Sequence, residues 1–272
     1  MITFPKAKIN LGLRVTGKRP DGFHDIETIF YPTGFCDALE FVPSSEDVKE
    51  DTLVVTGFNI GISPEKNLVI RAFRKLREHF TIPFFKIHLH KAIPSGSGLG
   101  GGSSDAACIL RTINKYFNLE MDNEALKSLA LELGSDCPFF IDPVPSLATG
   151  RGEILKPVSK VLYGYHLVLV NPGVRISTRE AYINTRPAKP KISLEYLITQ
   201  DISEWKRYMV NDFEEYAFKL YPQISEYKTT LYRSGAVFSS MSGSGSTVYG
   251  IFEGKPSLPE DFRKFVIYEG LL

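Results

Sequence analysis

Cysteine is scarce in this chain. Its three cysteines, Cys36, Cys108 and Cys137, are odd in number, far apart and without C-x-x-C spacing. That pattern excludes a disulfide framework and a C-x-x-C metal knuckle, and leaves the thiols as small core residues of a reducing compartment. An excess of charge of one sign is missing too. Lys and Arg number 32 against 31 Asp and Glu, a net charge of +1, which argues against a broadly basic nucleic-acid binder. No apolar run reaches the roughly 18 residues that a membrane span needs, and the opening Met1-Ile2-Thr3-Phe4-Pro5-Lys6 lacks a signal peptide's apolar stretch. A soluble cytoplasmic protein without membrane or nucleic-acid partners is expected. His88 and His90 share one face of a strand, but no third ligand is suggested nearby, so both read as ordinary histidines rather than a metal site. Internal repeats and low-complexity tracts are absent. What is present is 43% apolar residues over 272 positions, enough for one large or two modest domains.

The chain is organised around Lys91 to Ala107, which contains Pro94-Ser95-Gly96-Ser97-Gly98-Leu99-Gly100-Gly101-Gly102-Ser103-Ser104. Before it, Phe84 to His90 alternates as a strand does. After it, Ala106 to Phe117 is apolar at helical spacing. A glycine loop opening a helix is an anion site: its amides converge on oxyanions, the helix terminus adds about half a positive charge, and missing Cβ atoms allow close approach. Ser103 and Ser104 suit the helix start and offer hydroxyls to a phosphate or its metal. A dinucleotide fingerprint would need an acid ending the next strand, yet a second helix pattern, Asp122 to Leu133, follows, with Asp122 as its N-cap. Walker A would need a lysine before Ser103. A protein-kinase loop would lie between strands.

Elsewhere the pattern is mixed α/β. Ala7 to Leu13 alternates as a half-buried strand, and spacing alone leaves Lys8 a solvent-facing lysine. Gly17 to His24 is a turn-rich loop ending in the Phe23–His24 pair, which by itself reads as structural. Strands of an antiparallel sheet are expected at Asp25 to Phe35, Ala38 to Val42 and Leu53 to Thr56, with an exposed loop at Pro43 to Asp51. Asn67 to Phe80 is an amphipathic helix. Asp136 stands where Gly134 ends a helix and an apolar strand is expected after Pro138; capping or turn duty is its plain reading. A boundary after Pro157 divides the chain into 1–159 and 160–272. The second part opens on a buried strand, Tyr165 to Val170, then a helix begun by Ser177 or Thr178 and carrying Tyr182. Four more helices are expected between 193 and 234. Around Met241-Ser242-Gly243-Ser244-Gly245-Ser246 the chain reads strand, glycine turn, strand, either a plain hairpin or a second backbone wall beside the first loop.

Pro5 to Leu11, Pro94 to Ala107 and Met241 to Ser246, in this order, resemble the three signatures of the GHMP small-molecule kinases (galactose, homoserine, mevalonate and phosphomevalonate kinases). The likeness runs from about residue 5 to 252. Asp21-Gly22-Phe23-His24 and Leu133-Gly134-Ser135-Asp136 resemble the branch whose acceptor is a CDP-linked polyol of isoprenoid biosynthesis. The resemblance implies a two-lobed α/β (α+β) fold with the active site in the cleft between lobes. It implies ATP-dependent phosphorylation of the acceptor's 2-hydroxyl, with Mg²⁺. Asp136 would be the base and Lys8 its charge partner. Pro94 to Ser104 would hold the phosphates, with Asn67, Leu68 and Lys91 near the adenine. Asn10, Phe23, His24, Thr178, Tyr182, Gly243 and Ser244 would line the acceptor site, and Ser103 is the candidate Mg²⁺ ligand. The partners would be ATP and the CDP-linked polyol, the protein a monomer or homodimer. Phe23 stands where tyrosine is common and Ser242 where threonine is. Asp105 replaces a frequent asparagine and is expected to cap the helix, facing away. The rival readings are a GHMP kinase for another acceptor, phosphomevalonate or a sugar, and a GHMP-fold binding protein without turnover.

Overall fold

Every second residue of Phe85–Lys91 is buried, and the strand they form (β6) is the spine of one of two compact units in the computed structural model, which describes residues 1–59 and 61–272. This unit comprises Met1–Ala7, Phe35–Ser95 and Gly100–Pro143. Its four-stranded sheet also contains β1 (Ile2–Thr3), β4 (Ala38–Pro43) and β5 (Thr52–Gly57), in the order β1-β4-β6-β5. β5 and β6 run parallel, so the uniformly antiparallel arrangement expected for the early strands is corrected. Phe85, Ile87 and Leu89 point into the core, while His88 and His90 face outward, bridged by the Thr56 hydroxyl at 2.9 and 3.0 Å.

The helix α1 (Leu68–Arg77) buries Val69, Ile70, Phe73 and Leu76, and Phe73 stacks on Phe85 at 4.6 Å between ring centres. Asn67 starts it by accepting a hydrogen bond from the Val69 amide. Against α1 packs α2 (Gly101–Tyr116), followed by α3 (Asn123–Leu131), which Asp122 caps through the Ala125 amide. The strand expected after Pro138 is absent. Cys137–Ile141 form a 3₁₀ turn with all five residues buried. Proline at its first turn suits a helical start, and an unbroken apolar run carries no period by which strand and buried helix can be told apart.

The second unit comprises Lys8–Gly34, Gly96–Leu99 and Val144–Leu272. The chain thus passes repeatedly between units. One sheet has the order β2-β3-β7-β8, from β2 (Lys6–Lys18), β3 (His24–Cys36), β7 (Ser146–Thr149) and β8 (Ile154–Pro157). The other is antiparallel, in the order β10-β11-β9-β12: β9 (His166–Val170), β10 (Phe238–Met241), β11 (Val248–Phe252) and β12 (Val266–Leu271). The helices are α4 (Thr178–Ile183), α5 (Leu194–Leu197), α6 (Ile202–Tyr208), α7 (Glu214–Leu220), α8 (Pro222–Arg233) and α9 (Glu260–Arg263). Val168, Val170, Met241, Val248, Leu231 and Ile224 share one core cluster. β2 is buried on both faces from Ala7 to Val15, not half-buried as its alternation suggests. Among the described residues no helix is long and apolar enough to cross a membrane.

Candidate active site

Gly100 takes a left-handed conformation (φ +72°) as N-cap of α2, with no side-chain cap, so the helix begins at Gly101 and not at the serines. Ser103 and Ser104 lie inside its first turn. Ser104 is buried and Ser103 half-buried. The glycines before them are turned tightly: Gly96 has φ +65° and Gly98 φ +80°.

The second glycine turn meets the first at Gly98. A Cβ on Gly98 would fall 1.8 Å from the Ser242 carbonyl oxygen, and one on Gly243 would lie 3.1 Å from the Gly98 Cα. Of the two readings open for residues 241–246, the backbone wall is the one found. The Thr247 amide donates to the Ser97 carbonyl at 3.2 Å, and the Ser242 hydroxyl to the Gly98 carbonyl at 2.9 Å. Asn211 fixes this wall from behind, donating to the carbonyls of Met241 and Gly243, each at 2.8 Å. Sequence reading missed Asn211; its only signal is a polar pair, Asn211-Asp212, between apolar neighbours. Gly98→Ala combines a left-handed alanine, about 1–3 kcal/mol of strain, with a backbone collision. The expected result is a lower urea midpoint; an unchanged midpoint would show that the turns do not touch in solution.

Lys8 is only 3% exposed. Its ammonium donates to the Gly98 carbonyl at 2.9 Å and to Asn10 Oδ1, and sits 4.9 Å above the Phe30 ring. The solvent-facing reading of this lysine is therefore wrong. Asn10 is equally fixed: its Nδ2 donates to the Thr28 hydroxyl at 2.9 Å, its amide to Ser242 Oγ at 3.1 Å, and its carbonyl accepts from Tyr249 at 2.8 Å. Buried polar groups satisfied to this degree hold one geometry.

In the same unit His24 and Tyr182 stack, with ring centres 4.9 Å apart and planes inclined by 16°. Tyr182 rests edge-on against Phe213. Phe23 is 53% exposed, its outer ring covered by the Arg151 guanidinium at 5.0 Å. Thr178 and Ser244 share a hydrogen bond between hydroxyls of 2.9 Å. Asn10 thus joins the second glycine turn through Ser242, His24 and Tyr182 pair with each other, and Phe23 lies against Arg151.

Asp136 precedes the 3₁₀ turn, and its side chain does not cap it. Lys91 is placed differently from a nucleotide-facing lysine. It is 3% exposed, and its ammonium is paired with Asp37 and, at 2.7 Å, with Asp105. Its carbonyl accepts from the Phe58 amide. Burial opposes the Lys91 charge, yet the two carboxylates outweigh it and raise its pKa. Asp105, expected to cap the helix and face away, points inward and is 2% exposed. Burial, with Asp37 adding to it against the pull of Lys91, pushes the Asp105 carboxyl up to about 7. Between the ordinary aspartate value near 3.8 and about 7 the folded protein holds a proton that the unfolded chain has released. Stability therefore falls as pH rises through that window. Asp105→Asn is expected to flatten this fall, measured as the urea midpoint at pH 5 and pH 8; an unaltered slope would remove Asp105 as its source.

Among the described residues no three His, Cys, Asp or Glu side chains converge as a metal site.

Residues 67–142 match the GHMP kinases N terminal domain, and residues 193–266 the GHMP kinases C terminal domain. The chain is 49% identical over 260 residues to 4-diphosphocytidyl-2-C-methyl-D-erythritol kinase of Bacteroides thetaiotaomicron, covering 96% of this chain and 95% of that one. It is 48% identical over the whole of both chains to the enzyme of that name from Parabacteroides distasonis. Among solved structures, a 4-(cytidine 5'-diphospho)-2C-methyl-D-erythritol kinase superposes with a TM-score of 0.79 at 34% identity, covering 94% of this chain and 91% of that one. A homoserine kinase from Cytophaga hutchinsonii, at TM-score 0.63 and 19% identity, shares the fold. The chain belongs to the GHMP kinases, and among them to the 4-diphosphocytidyl-2-C-methyl-D-erythritol kinase family. It is an ATP-dependent small-molecule kinase with the two-domain α/β fold of that family.

Proposed function

We propose that this kinase transfers the γ-phosphoryl group of ATP to the 2-hydroxyl of 4-diphosphocytidyl-2-C-methyl-D-erythritol. The observation that carries the reading is the stacked His24–Tyr182 pair in the same compact unit as the Lys8 ammonium and the Gly98 loop. A flat, neutral cytosine suits stacking on Phe23 and Tyr182 with a hydrogen bond from His24. Asn10, Thr178, Gly243 and Ser244 serve the acceptor, and Asn67 and Leu68 the adenine, while Lys91 is committed to its ion pairs.

Phosphoryl transfer passes through a loose transition state, so placement and charge do most of the catalysis. Asp136 accepts the proton of the 2-hydroxyl as its oxygen bonds to the γ-phosphorus, and ADP departs with the electrons of the broken P–O bond. Lys8 stabilises the oxygen as negative charge grows on it. The amides from Gly96 to Gly102 and the start of α2 hold the phosphates. Ser103 is the loop residue that would hold a Mg²⁺ brought with the nucleotide, and such an ion would neutralise part of the phosphates' charge.

The test is coupled ADP release with the CDP-linked substrate beside mevalonate, phosphomevalonate and homoserine. Turnover with the first alone is expected. Comparable turnover with another acceptor would reassign the substrate, and ATP binding without turnover on any of them would favour a binding protein.

A further inference from the structure

The segment Pro94 to Ser104 contains no lysine or arginine, although it is the part of the chain built to face oxyanions. Besides the Lys91 ammonium, which lies beside Gly101 but is paired with Asp37 and Asp105, two cations come to it from elsewhere. Lys8 bonds the Gly98 carbonyl. The second is Arg175. A Cβ placed on Gly96 would meet Arg175 Nε at 3.2 Å, Cγ at 3.5 Å and Cδ at 3.7 Å, so the arginine stem lies along the open side of that glycine. Arg175 is exposed, and no acid or carbonyl among the described residues pairs with its guanidinium.

The backbone beneath it is anchored. The Val174 carbonyl accepts from the Ser246 hydroxyl, Asn171 Nδ2 donates to the Thr247 hydroxyl at 2.9 Å, and Asn171 Oδ1 accepts from the Gly173 amide at 2.8 Å. The Thr247 amide in turn bonds Ser97. Residues 171–176 are thus tied through the second glycine turn to the loop they flank. An unpaired guanidinium held beside this glycine loop has the chemistry of a phosphate ligand.

We propose that Arg175 is a binding residue for the nucleotide's phosphate tail, supplying from the 171–178 segment the cation that the glycine loop itself lacks. This rests on the kinase reading above. Lys8 serves the reacting oxygen, and Arg175 serves the phosphate donor. The alternative phosphate source is the diphosphate of the acceptor. The nucleotide is favoured because Gly96 belongs to the loop assigned to ATP.

The test titrates ATP alone into the full chain by calorimetry and then measures both KM values. Arg175→Met keeps the packing stem and removes the charge; Arg175→Lys keeps the charge. About tenfold weaker ATP binding by Arg175→Met is expected, the scale of one exposed charge-assisted bond. The loss should be smaller in Arg175→Lys and should shrink at high salt, with the KM for the CDP-linked substrate little changed. Wild-type ATP affinity in Arg175→Met overturns the proposal, as does an effect confined to the acceptor's KM. Failure of the wild type itself to bind ATP would instead overturn the kinase reading.

Discussion

Asp136→Asn is expected to lower kcat by about 10²–10⁴-fold while leaving the calorimetric ATP affinity nearly intact. The amide keeps the size of the carboxylate and can still accept a hydrogen bond, but it cannot take up a proton at neutral pH. On the proposed role, the loss is that of a positioned general base. Lys8→Met should reduce kcat by a factor on the order of 10²–10³, the scale of one charge-stabilising donor. Here the proposed role separates chemistry from binding. When the Lys8 ammonium is removed, the Gly98 carbonyl retains the Ser242 hydroxyl at 2.9 Å, and Asn10 retains Thr28 and Tyr249. The loop should stay in place while the charge proposed to face the reacting oxygen is lost. Coupled ADP release gives kcat and calorimetry gives affinity. A near-normal rate in Asp136→Asn would refute its role as base, and a parallel fall of rate and affinity in Lys8→Met would make Lys8 a loop-holding residue only.

How much of this was legible in the sequence depends on the reach of each interaction. β6 and α1 were readable because a buried face repeats at two or 3.6 residues. The Asp122 and Ser177 caps were readable because each acts on an amide three residues away. The 3₁₀ turn at Cys137–Ile141 was not, since five buried positions in a row carry no period. β12 was missed for a similar reason: its residues Val266 to Gly270 are all half-buried, and it pairs with β9, about a hundred positions earlier in the chain. The start of α2 was misjudged because a left-handed glycine, not a serine side chain, begins it. At the site, motif spacing marked Lys8 and Asn10, but only the fold reveals that strand alternation failed there. β2 is covered on both faces, so residues that alternate as outward are enclosed. Asn211 and Asp105 show the same limit. Their partners lie 30 and 14 residues away, at Met241 and Lys91, and no local pattern announces them.

Lys91→Met is expected to be the most destabilising single substitution considered, at about 3–5 kcal/mol, the scale of removing one member of a buried ion pair. Lys91 stands at the end of β6, just before the glycine loop, and Asp105 stands in the first turns of the helix just after it. Their pairing clips the two stems of that loop together, and Asp37 secures the assembly by also accepting the amides of Ala92 and Ile93 at 2.7 and 2.8 Å. Without the ammonium, two enclosed carboxylates face each other with no counter-charge. Burial already favours the protonated Asp105, so the variant should recover as pH falls from 8 to 5, when one carboxyl takes up a proton and the repulsion ends. Wild type gains less over the same range, because its lysine offsets part of that repulsion. A second change, Asp105→Asn, made on the Lys91→Met background should restore much of the loss at pH 8, giving a coupling between the two sites of opposite sign to independent damage. Urea midpoints of the two single variants and the double variant at both pH values decide it. A destabilisation of Lys91→Met that is independent of pH and unrelieved by Asp105→Asn would assign the cost to lost packing of the lysine stem, and the charge triad would then hold nothing in place.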